Sequence, residues 1–283
     1  MIGKTALFVP ASSPKMLNAA LAFPADSLIF DLEDAVSVGE KDAARDLLKE
    51  YLSFVPFKKQ KLIIRINALD SEFWQDDFEL AAASRADNIM IPKARVSHIN
   101  TLSDLLDKRN SPIGLIPIIE MAISVEEVSE IIKASNRVCG VMFGAEDYTS
   151  DLGTRRTKEG VEVLFARSRV VNAAHAYGIE ALDTPFVDFS DEEGLKKDTE
   201  FGKLLGYTGK TAIHPSQVDV INMIYAPTKE EIDYAQRIIS QTREAEKLGK
   251  GAFSMEGKMV DAPIIKRAQT LLRRAGIEVM AND

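Results

Sequence analysis

Carboxylates recur in this sequence directly after short apolar runs. Asp31, Glu33 and Asp34 follow SLIF, Glu120 closes IGLIPIIE, Glu146 and Asp147 close CGVMFGAED, and Asp183 and Thr184 lie near the end of IEALDTP. Arg65 and Asn67 end LIIRIN, Lys93 ends NIMIPK, and His214 lies near the end of KTAIHP. Singly, each acidic residue has an ordinary explanation, because a carboxylate after a strand often caps the next helix. Together they need a counter-charge, since carboxylates gathered at one place repel one another unless a cation joins them. Oxygen donors without a Cys or His cluster favour magnesium or manganese over zinc. Magnesium commonly takes one or two protein carboxylates, with water and substrate oxygens completing its shell. Glu120 and Asp147 suit it, because they end consecutive runs.

Arg65 sits inside an apolar run, where an unpaired charge is costly, and its planar fork suits a substrate carboxylate. Lys93 has two functional readings. A Schiff-base lysine needs a depressed pKa, whereas carboxylate neighbours push it up, so a charge-partner role is preferred. His98 and His175 fall in helix-like stretches and read as surface or interface residues. His214 suits a structural hydrogen bond as well as a substrate contact. Arg155 and Arg156 follow a Gly turn, where anion binding and a solvated loop are equal readings. The single cysteine, Cys139, lies in an apolar run and reads as a buried core thiol; no intrachain disulfide is possible.

The order of the elements is what would bring these residues together. Strand-like runs at 5–9, 27–33, 62–67, 88–93, 113–120, 139–147, 179–185 and 210–215 alternate with helix-like stretches at 15–23, 40–52, 73–84, 99–108, 125–133, 159–177 and 192–205. Such alternation implies right-handed βαβ units and a parallel sheet. Eight units imply closure into an α/β fold, a (β/α)8 TIM barrel, with an open doubly wound sheet as the rival. Barrel strands share one mouth at their C-terminal ends, where active sites sit. No strand-like run follows Pro215. A long polar helix over 228–248, a turn region over 249–258 and a last helix over 263–275 are expected. The expected organisation is a catalytic barrel over 1–225 and a helical extension over 226–283, serving as a lid or an oligomer arm.

The 283 residues are 46% hydrophobic and 28% charged, with a net charge of -8. This is ample for a large core, and the acidic field disfavours nucleic acid and an anionic membrane as partners. There is no signal peptide and no apolar run of about 18 residues, so a cytoplasmic location is expected.

The same residues carry a resemblance. LFVPAS (7–12), DLEDAV (31–36), RIN (65–67), PK (92–93), the IIE ending at Glu120, GAEDY (144–148), GKTAIHPSQV (209–218), YAPT (225–228) and GKMVDAP (257–263) run in order over nearly the whole chain. This set resembles the citrate lyase β-subunit-like family, which includes citryl, citramalyl and malyl thioester lyases, within the HpcH/HpaI aldolase superfamily. The resemblance implies that Glu120 and Asp147 bind Mg2+ and that Arg65 binds the oxo-acid carboxylate. It implies that Glu33 and Asp34 form an acidic pair near the metal waters. Asp261 matches an acid/base aspartate on a C-terminal segment that in relatives often reaches a neighbouring subunit's barrel. Without the resemblance, Asp261 reads as an N-cap before Ala262-Pro263. The pattern departs at Lys4, where the family usually has an arginine, and at Ala11, commonly a glycine. Lysine keeps the charge but loses the two-pronged geometry. Lys4, Lys93 and Glu120 join Arg65 as the expected substrate-binding set.

The expected reaction is reversible carbon–carbon cleavage of a 3-hydroxy-3-carboxyacyl thioester, giving an acetyl thioester and an α-keto acid. Alternatives are a metal-dependent pyruvate aldolase, a thioesterase or malate synthase-like activity at the same site, and a scaffold subunit with an idle site. A homo-oligomer, trimer or hexamer, is implied. CoA versus acyl-carrier-protein thioester stays open, as does a stand-alone enzyme versus a partner of citrate lyase α and γ subunits.

Overall fold

Eight short strands are all parallel and hydrogen-bonded in chain order: β1 (Thr5–Pro10), β2 (Ser27–Asp31), β3 (Lys61–Arg65), β4 (Asn88–Ile91), β5 (Gly114–Ile119), β6 (Gly140–Phe143), β7 (Glu180–Asp183) and β8 (Gly209–Ala212). β1 also pairs with β8, which closes the barrel and excludes the open sheet. The structure, a computed structural model, describes residues 2–277 apart from Lys58, Leu248 and Lys250. Its contacts divide the chain into two compact units, Met1–Ile224 and Tyr225–Asp283.

The helices of the first unit are α1 (Pro14–Ala20), α2 (Lys41–Phe54), α3 (Trp74–Ala83), α4 (Val96–Lys108), α5 (Ala122–Glu126), α6 (Val128–Lys133), α7 (Ala145–Asp151), α8 (Val161–Ala176), α9 (Glu192–Leu205) and α10 (Ser216–Tyr225). Local chemistry sets their ends. Ser13 caps α1 by accepting from the Met16 N–H, with Pro14 preset for the first turn. Asp191 caps α9 through the Gly194 N–H at 2.9 Å, and Gly206 ends it at φ 108. Among the described residues, no helix is long and apolar enough to cross a membrane.

Side chains alternate across a strand, and this sets what reaches the mouth. Ala6, Ile29, Ile63, Met90, Ile118, Met142 and Leu182 belong to one apolar cluster, against which Phe8 packs. The next inward position after Ile29 is Asp31, after Ile63 it is Arg65, after Ile118 Glu120, after Met142 Gly144 and after Leu182 Thr184. The barrel interior is thus filled, with chemistry stacked on its last layer.

Four expectations are corrected. The run 139–147 is strand only over Gly140–Phe143; α7 starts at Ala145 and carries Glu146 and Asp147 in its first turn, where the helix dipole favours carboxylates. Helix α10 directly follows β8 and was not anticipated. Cys139 is exposed rather than buried, because it precedes β6 at the rim where the strands begin. The second unit is not wholly helical. Between α11 (Lys229–Lys247) and α12 (Ala262–Arg274), β9 (Phe253–Met255) and β10 (Lys258–Val260) form an antiparallel hairpin. Its two-residue turn, Glu256 and Gly257, has φ of 53 and 77, both positive as a tight hairpin requires. Ala235, Ile238, Met255, Val260, Ala268 and Leu272 form this unit's own core. Leu248, the last residue of the expected 228–248 helix, and residues 278–283 of the expected extension lie outside the described residues.

Buried charges hold the β7–β8 seam. Arg167 of α8 grips Asp183 with Nε (3.1 Å) and Nη2 (2.5 Å), and its Nη1 reaches Asp198 of α9 at 2.9 Å. Lys210 Nζ donates to Asp198 and to the Thr184 carbonyl, both at 2.6 Å. A Cβ on Gly202 would lie 2.4 Å from Asp183 Oδ2, which explains a glycine inside α9. Asp183→Ala leaves two buried cations sharing Asp198. It is expected to destabilise the protein by about 3–5 kcal/mol, read as a lower urea midpoint at unchanged m-value. A midpoint within error of the parent would refute this account of the seam.

Candidate active site

Glu120 follows β5 directly and is 3% exposed. Its Oε1 accepts the Lys93 N–H at 2.7 Å. Lys93 presents that N–H from a left-handed backbone, φ 47, which is uncommon for a residue with a side chain. On the other side stands Gly144, where a Cβ would come within 2.5 Å of Glu120 Oε2 and 2.7 Å of its Cβ. Glycine is therefore required for Glu120 to occupy this place. Asp147, half-buried in the first turn of α7, lines the same cavity of about 410 Å³ as Glu120, Asp31, Asp34 and Arg65. A larger cleft, about 680 Å³, lies on the outer surface between α2 and α3 and contains none of these residues.

Arg65 is the buried cation of the site. Asp31 takes its Nε (2.7 Å) and one proton of Nη2 (2.6 Å), a two-pronged pair along one edge of the guanidinium. On the end edge Nη1 already faces two carboxylates and donates to Asp34, while the second Nη2 proton remains for a further anion. Nη1 lies 2.9 Å from Glu33 and 3.4 Å from Asp34, and the guanidinium covers the Phe8 ring at 5.0 Å. Glu33 Oε2 is nevertheless buried without a hydrogen-bond partner among the described residues.

The electrostatics follow from that imbalance. Burial pushes the Glu120 carboxyl up to about 8; Glu33 and Asp147 add to the shift, while the Lys93 N–H and Arg65 oppose it. Burial likewise pushes Glu33 up to about 7, opposed by Arg65 and reinforced by Asp34. Burial alone would lower the Lys93 pKa, but Glu33, Asp147, Glu120 and Asp34 outweigh it and hold the ammonium above its usual value. Its Nζ lies 3.7 Å from Glu33. This is the reverse of what a Schiff-base lysine needs.

Among the described residues, no three or more His, Cys, Asp or Glu side chains are grouped to hold a metal by themselves. The donors still fit magnesium, which is commonly held by one or two carboxylates with substrate and water completing the shell. Glu120 and Asp147 offer oxygens only, and Glu33 has a buried oxygen to spare.

The other anticipated residues divide. Asp34 sits exposed at the rim. Lys4 is corrected as a substrate contact. It precedes Thr5, the first residue of β1, so it lies at the opposite rim of the barrel, where its N–H donates to Asp26 at 2.6 Å. Asp261 belongs to the second unit, where its carboxylate caps α12 by accepting from the Ile264 N–H at 3.4 Å. His214 is exposed, stacked on Phe189 and 2.7 Å from the Ser216 hydroxyl. Asp183 turns away from the cavity into the β7–β8 seam, while Thr184, its neighbour, lines the cavity.

The HpcH/HpaI aldolase/citrate lyase family matches residues 4–215. The chain is 40% identical over 280 residues to the citrate lyase subunit beta of Leuconostoc mesenteroides subsp. cremoris, covering 96% of this chain and 93% of the relative. It is 33% identical to the (3S)-malyl-CoA thioesterase of Cereibacter sphaeroides, covering 97% and 95%. The fold matches the crystal structure of protein CitE from Mycobacterium tuberculosis in complex with magnesium, acetoacetate and coenzyme A. There the TM-score is 0.82 at 33% identity, covering 97% of this chain and 98% of that one.

Two outcomes are expected. Both raised carboxyls titrate above their ordinary 4.5, so in the metal-free protein their contribution to stability is present at acid pH and is lost as pH rises through about 7 and about 8. Magnesium binds the ionised form. It should therefore raise the melting temperature more at pH 8 than at pH 6, and an equal or reversed shift would contradict this. Gly144→Ala should weaken magnesium binding about 10–100-fold by calorimetry, because it displaces Glu120; unchanged affinity would show that Glu120 is not a ligand.

Proposed function

Because the chain belongs to the HpcH/HpaI aldolase/citrate lyase family, we propose that it is a magnesium-dependent carbon–carbon lyase. Its substrate is a 3-hydroxy-3-carboxyacyl thioester of the citryl, citramalyl or malyl type, carried on CoA or on an acyl carrier protein. The products are an acetyl thioester and an α-keto acid. The observation that carries this reading is the pair Glu33 and Glu120, buried at the barrel mouth beside a single buried guanidinium whose nearer edge Asp31 already holds. Such a site is short of positive charge by an amount that a divalent cation supplies.

Glu120 and Asp147 hold the cation in this scheme. When bound, magnesium supplies Lewis-acid chemistry toward the substrate's oxygens. Arg65 presents its end edge to the oxo-acid carboxylate, and Asp31 fixes the guanidinium plane. Loss of the hydroxyl proton, taken up by Glu33, lets the carbon–carbon bond break. The bonding pair moves to the thioester α-carbon, and the carbinol carbon becomes the ketone. Asp261 delivers a proton to that α-carbon, and removes one in the synthetic direction. Glu33, raised to about 7, holds or releases a proton near neutrality, with Asp34 beside it. Lys93 serves as charge partner to Glu33. A homo-oligomer, trimer or hexamer, belongs to this reading, and in the carrier-protein case so do α and γ partner subunits.

One finding favours hydrolysis at the same site, the thioesterase relative. The two readings separate by product, keto acid with acetyl thioester against free hydroxy acid with thiol. Citryl-CoA, citramalyl-CoA and malyl-CoA, offered to purified protein with and without magnesium, should give magnesium-dependent acetyl-CoA and keto acid. Asp261→Ala should lower kcat about 10²–10⁴-fold. Turnover only with carrier-protein esters would assign a complex subunit. No keto acid from any of these esters would overturn the lyase.

A further inference from the structure

Thr184 is buried, lies one residue past β7, and lines the mouth cavity. Every polar group it has is fixed except one. Its N–H donates to Asp183 Oδ1 at 3.0 Å, and its carbonyl accepts from Lys210 Nζ at 2.6 Å. Its hydroxyl oxygen accepts the Ala145 N–H, the first of α7, at 3.1 Å. The hydroxyl proton is left over, and no acceptor among the described residues takes it. A buried hydroxyl without an acceptor is disfavoured. Rotation about the Cβ–Oγ bond lets the proton point into the cavity that Thr184 lines.

The surroundings make Thr184 rigid. Asp183, which anchors the Thr184 N–H, is gripped by Arg167 along two bonds, and its carbonyl accepts the Thr211 hydroxyl at 2.9 Å. Lys210, which holds the Thr184 carbonyl, is itself pinned by Asp198 at 2.6 Å. Two buried cations and two carboxylates thus stand behind one hydroxyl that touches none of them. Restraining a donor in this way lowers the entropic cost of using it on a ligand.

We propose that the Thr184 hydroxyl is a substrate-binding donor, giving its proton to an oxygen of the bound oxo acid while its own oxygen holds the start of α7. The inference rests on the proposed function, because the acceptor is that reaction's α-keto acid. It adds a neutral donor from β7 to the Arg65 edge from β3, so that the oxo acid is held from two sides of the mouth.

The two roles of the hydroxyl separate in two readouts. Its acceptor role acts through α7, which carries Asp147, and shows in magnesium affinity and melting temperature. Its donor role shows in oxaloacetate affinity at saturating magnesium. Wild type, Thr184→Val and Thr184→Ser are compared by calorimetry, first with magnesium alone and then with oxaloacetate. In Thr184→Val the oxaloacetate Kd is expected to rise about 10–100-fold, several-fold more than the magnesium Kd. Thr184→Ser should keep both within about threefold of wild type, as expected when a hydroxyl hydrogen bond is retained. An oxaloacetate Kd in Thr184→Val that is unchanged, or that rises only as far as the magnesium Kd, overturns the donor role and leaves a structural one. Wild type that binds magnesium but no oxaloacetate, or neither, overturns the functional reading first, and this inference falls with it.

Discussion

Asp31, Glu33 and Glu120 are withdrawn from water at one end of this barrel, and one guanidinium, Arg65, is buried with them. Asp31 neutralises Arg65 through two short bonds, so the remaining pair of carboxyls is answered by the half-exposed Lys93 ammonium, an edge of Arg65 and the buried Lys41 ammonium, which itself donates to the Leu32 and Glu33 carbonyls. A buried ionised carboxylate without a partner is costly enough that the group takes up a proton instead. The raised values at Glu33 and Glu120 express that choice. The mouth has two states that relieve the deficit: protonated carboxyls at low pH, and ionised carboxylates around a cation at higher pH. Close packing of Gly144 against Glu120 and the left-handed backbone of Lys93 fix where the Glu120 carboxyl stands.

A second buried charge cluster lies only a residue away and behaves oppositely. At the β7–β8 seam, Arg167 and Lys210 face Asp183 and Asp198, two against two. Burial alone would raise the Asp198 pKa, yet Lys210 and Arg167 outweigh it and hold the carboxyl below its usual value. A cluster whose charges balance needs no ligand, and its parts are paired with one another. The sign of the imbalance, more than the presence of charge, separates the seam from the mouth. Breaking the seam harms the fold, whereas the mouth carboxyls Glu33 and Glu120 are left with raised pKa values by their burial.

This contrast explains what the sequence made legible. Apolar runs located the strands to within a few residues, and their polar endings located the mouth. The ending alone did not tell inward from outward. Asp183 and Thr184 are neighbours, and the two-residue alternation that carries Leu182 into the barrel core sends Asp183 outward and Thr184 inward. Counting by twos from the interior layer, rather than by proximity to the strand end, picks out Asp31, Arg65, Glu120 and Thr184 alike. Lys4 failed for a related reason. A motif fixes an offset along the chain, but only strand direction says which rim a residue occupies. The hairpin of β9 and β10 escaped notice because three-residue strands leave almost no periodic signal.

A constraint on proton transfer follows from the same deficit. A carboxylate committed to a cation cannot also carry a proton to carbon in the same step, since the two ligands compete for its charge. In the proposed chemistry Glu120 and Asp147 are so committed, and Glu33 sits close enough to Arg65 and Lys93 for its charge to be shared with them. The proton for the thioester α-carbon is therefore best supplied from outside this cluster. The proposed proton carrier, Asp261, is not one of the groups given to the cation in that scheme; it belongs to the second unit, where it caps α12. In the proposed scheme, giving the proton and the cation to different groups lets each keep the protonation state its task requires.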